Sequence, residues 1–380
     1  MSAGRRPPSA SSSSPQAASV LTRLRRTLFG PKFYRPPVSE LASAGGVVDR
    51  MMQRITADVC GDARPSLETA FAHADVVFTH DPFSAEPALT GRRGGQQVWM
   101  MCHAVTPMAL YAAWSWALPE ADWRDLLAYP DVRSWIEWEL DIWSRVDRVI
   151  LPCADAADTF RPIDPRFADI LDRAEYVLSG ASAPPRTSSS GADPTTRGAD
   201  LIGPRKPGER VGLYLGSPEP YRGFDALLGG VELLPHDVKL TIAVAGPDRS
   251  KVPAHPAFRA LGRVEDVAAL LASVDFLINV NRFSLFDLST IEAAEAGKPL
   301  MLHAVGGNRA FDRVGAGCVM LRDLEPQVIA ECLTTVARLD AAELAALGGK
   351  SRACWERELT PAHMWERHLA LYDRFSVARV

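Results

Sequence analysis

From about residue 76 onward, short apolar runs alternate with segments that have the periodicity of amphipathic helices. Continuous apolar runs are typical of strands buried on both faces of a parallel sheet, and their alternation with helices is typical of α/β domains. The runs that we predict to be strands are 76–80, 98–103, 149–153 and 176–178, followed by 211–215, 240–245, 274–280 and 299–303. The pattern therefore predicts two doubly wound α/β sheets.

One helix is predicted with a defined core face, between the second and third of these runs. Its apolar side is formed by Val132, Trp135, Ile136, Trp143 and Val146. Such spacing is typical of a helix that packs on a sheet.

A long polar stretch separates the two groups of strands. Residues 181–210 contain almost no apolar side chains, and a structureless segment of that length inside one compact domain would be unusual. We therefore place a domain boundary there. The predicted organisation is a disordered basic segment 1–36, a first domain 37–180, a polar linker 181–210, a second domain 211–358, and a C-terminal helix 359–380 that could return to the first domain.

The composition is that of an ordinary globular protein. The chain has 380 residues, of which 47% are hydrophobic, and a formal net charge of −4, which excludes a collagen-like chain and a globally basic nucleic-acid binder. Residues 1–19 are rich in Ser, Ala and Pro and cannot repay the entropy of ordering. No apolar run approaches the ~20 residues of a membrane span or forms a secretory signal, so we expect a cytoplasmic protein.

The charge is unevenly distributed. The first 39 residues contain no acidic residue, and their basic residues are Arg5, Arg6, Arg23, Arg25, Arg26, Lys32 and Arg35. Within the segment 20–29, Leu21, Leu24 and Leu28 share one helical face. This segment could lie at the inner face of the cell membrane, where each Arg gains ~1 kcal/mol. A basic helix docked on the protein, or an unfolded segment, explains the pattern equally well.

The cysteines give no sign of a metal site. All six are scattered, without a C-x-x-C pair or a Cys/His cluster at zinc spacing. We expect buried free thiols in a reducing compartment and no bound metal.

Polar residues follow the predicted strands of the second domain, where α/β sheets bind their ligands. A glycine-bounded turn, 216–225, follows the first of these strands, and the segment 281–299 follows the third. Asp287 or Ser289 could cap a helix whose first backbone N–H groups form a phosphate site. Alternatively, Ser289 and Glu292 match the capping-box pattern S-x-x-E, in which Glu292 would only satisfy its own helix terminus.

Five ordered segments resemble the carboxy-terminal domain of the GT-B glycosyltransferases of retaining family 4, the glycosyl transferases group 1. That family has G-R-x-x-x-x-K-G-x-D, then G-x-G-P, a strand led by aspartate, E-x-F-G-x-x-x-x-E-A-x-A-x-G-x-P and V-G-G-N. The corresponding segments here are 216–225, 245–247, 261–263 before 274–275, 284–299 and 304–308. The resemblance implies two Rossmann-like domains that face each other across a cleft, the second of which binds a nucleotide sugar.

The resemblance also implies roles for individual residues. Arg222 stands at the family's lysine, which neutralises the departing pyrophosphate together with a helix terminus, and Ser217 stands where the family has arginine. Arg263 or Arg282 could supply the missing charge. Glu292 matches the family's last glutamate, which binds ribose, whereas Ser284 replaces the first glutamate and Asp287 the glycine. The remaining donor-binding candidates are Gly216, Leu288, Ser289 and Thr290.

In the first domain the resemblance is carried by strand ends. His103 corresponds to the family's histidine that faces the donor sugar. His80 and Asp81 resemble a strand ending in His-Asp, and Trp114 and Trp116 are candidates for stacking on an acceptor glycan. The glycine-rich strand and loop that open the family are absent, and residues 40–75 are predicted as helix, so this domain is a trimmed version.

The function implied is hexosyl transfer, with retention of configuration, from a nucleotide diphosphate sugar to a glycan or lipid-linked acceptor. Such an enzyme would serve polysaccharide or glycoconjugate biosynthesis and would need neither a cofactor nor nucleic acid. Since Ser217 and Ser284 depart from the family, a non-catalytic sugar-nucleotide-binding or assembly protein is an alternative, as is a sugar-nucleotide epimerase.

Overall fold

The computed structural model describes residues 76–114, 118, 121–182, 194–216, 219–246 and 248–376. The chain divides into two compact units, Met1–Val177 and Leu178–Val380. The predictions made for residues 1–36, 20–29 and 40–75 lie outside the described residues.

The first unit contains a four-stranded parallel sheet in the order β1-β2-β3-β4. Its strands are β1 (Val76–Thr79), β2 (Gln97–Met101), β3 (Arg148–Leu151) and β4 (Glu175–Tyr176). Its described helices are α1 (Pro82–Gly91), α2 (Met108–Ala112), α3 (Trp123–Leu126), α4 (Pro130–Arg145) and α5 (Arg166–Leu171). Each of the four runs predicted as strands in this half coincides with one of these strands to within a few residues.

Helix α4 is the predicted amphipathic helix. The five apolar residues assigned to its core face are all buried. Trp143 packs against Phe160 and Phe167, with ring centroids 5.0 and 5.3 Å away. The apolar face of α4 therefore anchors the 3-10 turn Ala154–Thr159 and helix α5, which follow β3.

The second unit contains a six-stranded sheet in the order β10-β9-β8-β5-β6-β7, and all its pairings are parallel. Its strands are β5 (Arg210–Leu215), β6 (Leu240–Ala245), β7 (Phe258–Gly262), β8 (Phe276–Asn279), β9 (Leu300–His303) and β10 (Cys318–Leu321). Its described helices are α6 (Pro194–Ile202), α7 (Phe224–Glu232), α8 (Val267–Ser273), α9 (Leu288–Glu295), α10 (Asn308–Arg313), α11 (Pro326–Arg338), α12 (Ala341–Cys354) and α13 (Pro361–Ser376).

Three elements of this unit were not predicted from the sequence. Strands β7 and β10 lie at the two edges of the sheet and are only partly buried. Arg259 interrupts the apolar residues of β7, and the apolar run of β10 is only four residues long. Helix α6 lies inside the segment predicted as a linker. It packs closely on α8, because Gly198 lacks the Cβ that would meet the carbonyl oxygen of Ala269 at 2.0 Å. The polar linker is therefore shorter than predicted.

The C-terminal helix predicted over 359–380 is α13. A π turn, Trp355–Leu359, leads into it from α12. The turn is held to the start of the unit by Trp355, whose Nε1 donates to the carbonyl of Ala181 at 2.8 Å, and by the amide of Ala181, which donates to the carbonyl of Leu359 at 3.0 Å.

Backbone segments approach one another closely at the carboxyl end of the second sheet. A Cβ on Gly246 would lie 2.4 Å from the carbonyl oxygen of Gly216, and one on Gly307 would lie 1.5 Å from that of Leu285. Gly223 has a φ of 66° and lies against the carbonyl of Val280. Glycine therefore lets the turns after β5, β6, β8 and β9 pack directly on each other.

Substitution of Gly307 tests this close packing. G307A should lower the free energy of unfolding by more than ~2 kcal/mol, because the new methyl group forces two backbone segments apart. G349A is the control, since Gly349 lies in α12 with nothing within 4 Å of a Cβ, and alanine there should raise stability by ~0.5–1 kcal/mol. Urea denaturation measures both, and equal stability of the two variants would contradict the packing described.

Candidate active site

Polar side chains of the second unit collect where β5, β8 and β9 end. These strands are neighbours in the order β9-β8-β5, and because they are parallel their carboxyl ends meet at one edge of the sheet. The turn after β5 brings Arg222, the segment after β8 brings Asn281 and Asp287, and α10 begins with Asn308 after β9.

The carboxylate of Asp287 is the centre of a hydrogen-bond network. Its Oδ2 accepts from Nδ2 of Asn279 at 3.1 Å and from Nδ2 of Asn281 at 2.8 Å, and the Ser284 hydroxyl lies 2.8 Å from the same oxygen. The side chain of Asp287 is only 10% exposed. Hydrogen bonds to a charged group contribute ~1.5–3 kcal/mol each, so these donors stabilise a carboxylate that has little water around it.

The backbone fixes the orientation of the amides in this network. Oδ1 of Asn279 accepts from the backbone N–H of Asn281 at 3.1 Å, so its Nδ2 must face Asp287. Nδ2 of Asn308 donates to the carbonyl of His303 at 3.1 Å and to Oδ1 of Asn279 at 3.3 Å. These hydrogen bonds fix the side-chain amides of Asn279 and Asn308 relative to the backbone.

His303 is joined to the same network. Its Nδ1 lies 2.7 Å from the carbonyl of Asn281, and since a carbonyl only accepts, this nitrogen carries the proton. Burial lowers the pKa of His303, so the imidazole is neutral and helps to hold the segment after β8.

Arg222 lies beside Asp287, with Nη1 3.4 Å from Oδ1 of the carboxylate. Its guanidinium also lies over the ring of Tyr221, 5.0 Å from the centroid. The ring is buried, which raises the pKa of Tyr221 to about 12. Nε of Arg222 is buried and has no hydrogen-bond partner among the described residues. A Cβ on Gly216 would lie 3.5 Å from this nitrogen. One cation, only partly neutralised, is thus fixed at the end of β5.

Arg282 holds the turn that carries Arg222. Its two terminal nitrogens donate to the carboxylate of Asp225 at 2.7 and 2.6 Å, and Nη1 also donates to the carbonyl of Pro220 at 2.7 Å. Partial burial acts to raise the pKa of Asp225, but the hydrogen bonds from Arg282 outweigh it and lower that pKa. These hydrogen bonds occupy the guanidinium of Arg282, a residue that was predicted to bind the nucleotide-sugar donor.

Helix α9 does not begin with the capping box that was the alternative interpretation of Ser289 and Glu292. Its N-cap residue is Asp287, and the side chain of Asp287 makes no capping hydrogen bond because it faces the asparagines instead. Ser289 is the second helical residue and Glu292 the fifth, so these two cannot form a capping box and that alternative is wrong. Leu288 and Ser289 lie in the first turn and are partly exposed.

Two predicted donor contacts are buried. Ser284 and Thr290 are both 0% exposed. The Ser284 hydroxyl lies 2.9 Å from Oδ1 of Asn308, and the Thr290 hydroxyl accepts from Nδ2 of Asn279 at 3.1 Å. Their side chains therefore stabilise the segment after β8, and a contact of either residue with the donor remains a prediction.

Three further residues were predicted to bind the nucleotide-sugar donor, and the structure describes two of them. Arg263 follows β7 and is exposed. Glu292 is partly exposed on α9, and its role remains a prediction. Ser217 lies outside the described residues.

In the first unit, two predicted histidines meet where neighbouring strands end. Nδ1 of His80, after β1, lies 3.0 Å from Nε2 of His103, after β2. Asp81 caps α1, since its Oδ1 accepts from the backbone N–H of Ser84 at 2.7 Å. Trp114 is buried, with 4% of its surface exposed, and its stacking on an acceptor glycan remains a prediction. Trp116 lies outside the described residues.

Sequence reasoning missed Asn279 and Asn281. Both are buried, yet they alternate with apolar residues at the end of the run 274–280. An amide at the buried end of a central strand needs polar partners, and this signal could have identified them.

A cavity of about 810 Å³ lies at the opposite end of the second sheet, before β5, β8 and β9. Its lining includes Arg205, Asp275 and Lys298. Arg205 is paired with Asp275 at 3.0 Å, and Nζ of Lys298 donates to the carbonyl of Val274 at 2.9 Å. Because these cations are already engaged, the network around Asp287 is the better candidate site. The described residues contain no group of three metal-ligating side chains.

Comparison with a family model supports the relationship indicated by the motifs. Residues 209–338 match the model described as Glycosyl transferases group 1, and this segment contains Arg222, the Asp287 network and Glu292. The match lies within the second unit and is consistent with the family predicted for it. No curated protein matches the whole sequence closely enough to count as a relative.

Solved structures show the same fold. Sucrose-phosphate synthase from Thermosynechococcus elongatus has a TM-score of 0.62 and 14% identity, over 92% of this chain and 82% of that one. HepE of Anabaena in complex with UDP-glucose has a TM-score of 0.58 and 13% identity, over 80% of each chain. WaaG, a glycosyltransferase involved in lipopolysaccharide biosynthesis, has a TM-score of 0.58 and 14% identity, over 84% of this chain and 95% of that one. The two parallel-sheet units therefore have the GT-B fold, as predicted.

The Asp287 network can be tested through stability. D287N should lower the free energy of unfolding by ~1–3 kcal/mol, because an amide nitrogen would face the N–H donors of Asn279 and Asn281. E356Q is the control, since it removes an exposed pair with Arg352 and should cost no more than ~0.5 kcal/mol. Urea denaturation measures both variants. A D287N protein as stable as E356Q would show that the network does not depend on the carboxylate.

Proposed function

We propose that the protein is a glycosyltransferase that uses a nucleotide diphosphate sugar as donor. The observation that carries this proposal is the fixed guanidinium of Arg222 at the carboxyl ends of the strands, within the segment 209–338 that matches the glycosyl transferases group 1. In that family the leaving group is a nucleoside diphosphate, whose negative charge grows as the glycosidic bond breaks.

The geometry around Arg222 supports a phosphate site. The guanidinium is held by Asp287 and the ring of Tyr221, so little side-chain entropy remains to be lost on binding. Its Nε still has a hydrogen to donate, and the neighbouring Gly216 has no side chain to obstruct a phosphate oxygen. A pre-fixed cation of this kind stabilises charge that develops in the transition state.

The amino end of α9 provides a second source of positive potential. Because the Asp287 side chain does not cap the helix, the first backbone N–H groups remain for an anion. A diphosphate between Arg222 and the first turn of α9 would meet donors from both sides. Glu292, one turn further along α9, is proposed to bind the ribose.

The acceptor and the stereochemistry are inferred from the resemblance alone. We propose a glycan or lipid-linked acceptor and retention of configuration, with His103 oriented by His80 and contacting the donor sugar. HepE, which shares the fold, binds UDP-glucose, so a uridine nucleotide is the first donor to test.

Cellular location follows from the same proposal. No described helix has the length and apolar character needed to cross a bilayer. We propose a cytoplasmic enzyme that meets a lipid-linked acceptor at the inner face of the membrane, through the basic segment 20–29.

Substitution of the two charged residues tests the proposed site. R222A and E292A should each lower the rate of sugar transfer at least ~100-fold, because each removes a charged contact to the departing nucleotide. R222K is the matched control, since lysine stands at this position in the family and should retain measurable activity. Transfer is assayed from labelled donors, and circular dichroism confirms that the variants fold. Full activity of both alanine variants would contradict the site.

One observation favours a second function, a non-catalytic sugar-nucleotide-binding or assembly protein. The side chain at the position of the family's sugar-contacting glutamate is Ser284, and it is fully buried. Incubation with UDP-, GDP- and dTDP-sugars separates the possibilities. An enzyme slowly hydrolyses its donor to free nucleotide, whereas a binding protein raises its melting temperature without release of nucleotide, and an epimerase converts the donor sugar with no acceptor present.

A further inference from the structure

In the turn after β5, two buried atoms of opposite hydrogen-bonding character have no partner among the described residues. One is Nε of Arg222, a donor, and the other is Oε2 of Glu219, an acceptor. Glu219 is the N-cap residue of the 3-10 turn Pro220–Arg222, and its side chain makes no capping hydrogen bond. The two side chains thus belong to one short turn at the candidate site.

The environment of the Glu219 side chain is unusual for a carboxylate that only stabilises the fold. Burial raises the pKa of Glu219, although the nearby charges of Arg222 and Lys251 act in the opposite direction. Other carboxylates of this unit lie against donors: Asp225 is bound by Arg282, and Asp287 by two asparagines. A buried carboxylate oxygen with no donor destabilises the protein, so its presence at a ligand-binding edge needs a reason.

Only a narrow class of ligands could form hydrogen bonds with both atoms. Nε of Arg222 requires an acceptor, such as a phosphate oxygen, and Oε2 of Glu219 requires a donor, such as a hydroxyl. The two requirements lie within one turn, so one molecule should carry both groups a few bonds apart. A nucleotide sugar does so, through its diphosphate and the hydroxyls of its ribose and hexose.

We propose that Glu219 is a further donor-binding residue, which accepts a hydrogen bond from a hydroxyl of the nucleotide sugar while Arg222 binds the diphosphate. This inference rests on the proposed function and extends it to a variable position of the family motif. A carboxylate binds a hydroxyl more strongly than a neutral acceptor does, so Glu219 contributes to the choice of sugar or nucleoside.

Calorimetric titration of the full chain tests the proposal. The ligands are UDP, UDP-glucose, GDP and GDP-mannose, and the proteins are wild type, E219Q, E219A and the control E232Q, in which an exposed carboxylate at the end of α7 is changed. E219Q and E219A should weaken binding of the preferred nucleotide sugar by ten-fold or more, and E232Q by less than two-fold. If free nucleotide binds as before, the hydroxyl belongs to the hexose; if it weakens equally, the hydroxyl belongs to the ribose.

Melting temperature distinguishes binding from a structural role. Because Oε2 of Glu219 is buried without a hydrogen-bond donor among the described residues, E219Q should melt at or above the temperature of the wild type. Unchanged affinity in both Glu219 variants, or weaker affinity together with a lower melting temperature of E219Q, would overturn the proposal. If the wild type binds none of the four ligands, the proposed function itself fails, which is a different result from a wild type and an E219Q protein that bind equally well.

Discussion

A carboxylate below the protein surface must be surrounded by hydrogen-bond donors, and the carboxyl edge of the second sheet is arranged to meet this requirement for Asp287. Asn279 and Asn281 donate to it from the end of β8, and Arg222 approaches from the turn after β5. Asn308 and the carbonyl of His303 fix the asparagines from the β9 side. One buried charge therefore ties together three neighbouring strands, and the position of Arg222 depends on it.

The hydrogen-bond network around Asp287 involves two residues at which the sequence is predicted to depart from the family motif. In the alignment predicted from the sequence, Ser284 stands at the family's glutamate and Asp287 at its glycine, three residues further along the chain. The structure places the Ser284 hydroxyl 2.8 Å from the Asp287 carboxylate, so the two residues of that predicted departure contact each other. The acidic group now faces Arg222, and a sugar would have to be recognised by other residues, for which Glu219 is our proposal.

Much of the fold could be predicted from the sequence because its central strands are continuous apolar runs bounded by turns. The edge strand β7 was missed because Arg259 interrupts its apolar residues, and β10 was missed because its apolar run has only four residues. Helix α6 was missed because its polar composition resembles a linker, and it is held by a close approach at Gly198 that no periodicity reveals. At the candidate site, the sequence could propose single residues such as Arg222, but the burial of Ser284 and Thr290 and the amide network depend on tertiary packing.

The central claim is that Arg222 and the amino end of α9 form the diphosphate site of a nucleotide sugar. The most direct measurement is a crystal structure of the full chain bound to UDP-glucose, or to whichever nucleotide sugar stabilises it most. The account predicts diphosphate oxygens within hydrogen-bond distance of Arg222 and of the backbone N–H groups of Leu288 and Ser289. A nucleotide bound instead at the opposite end of the sheet, in the cavity lined by Arg205 and Lys298, would contradict it.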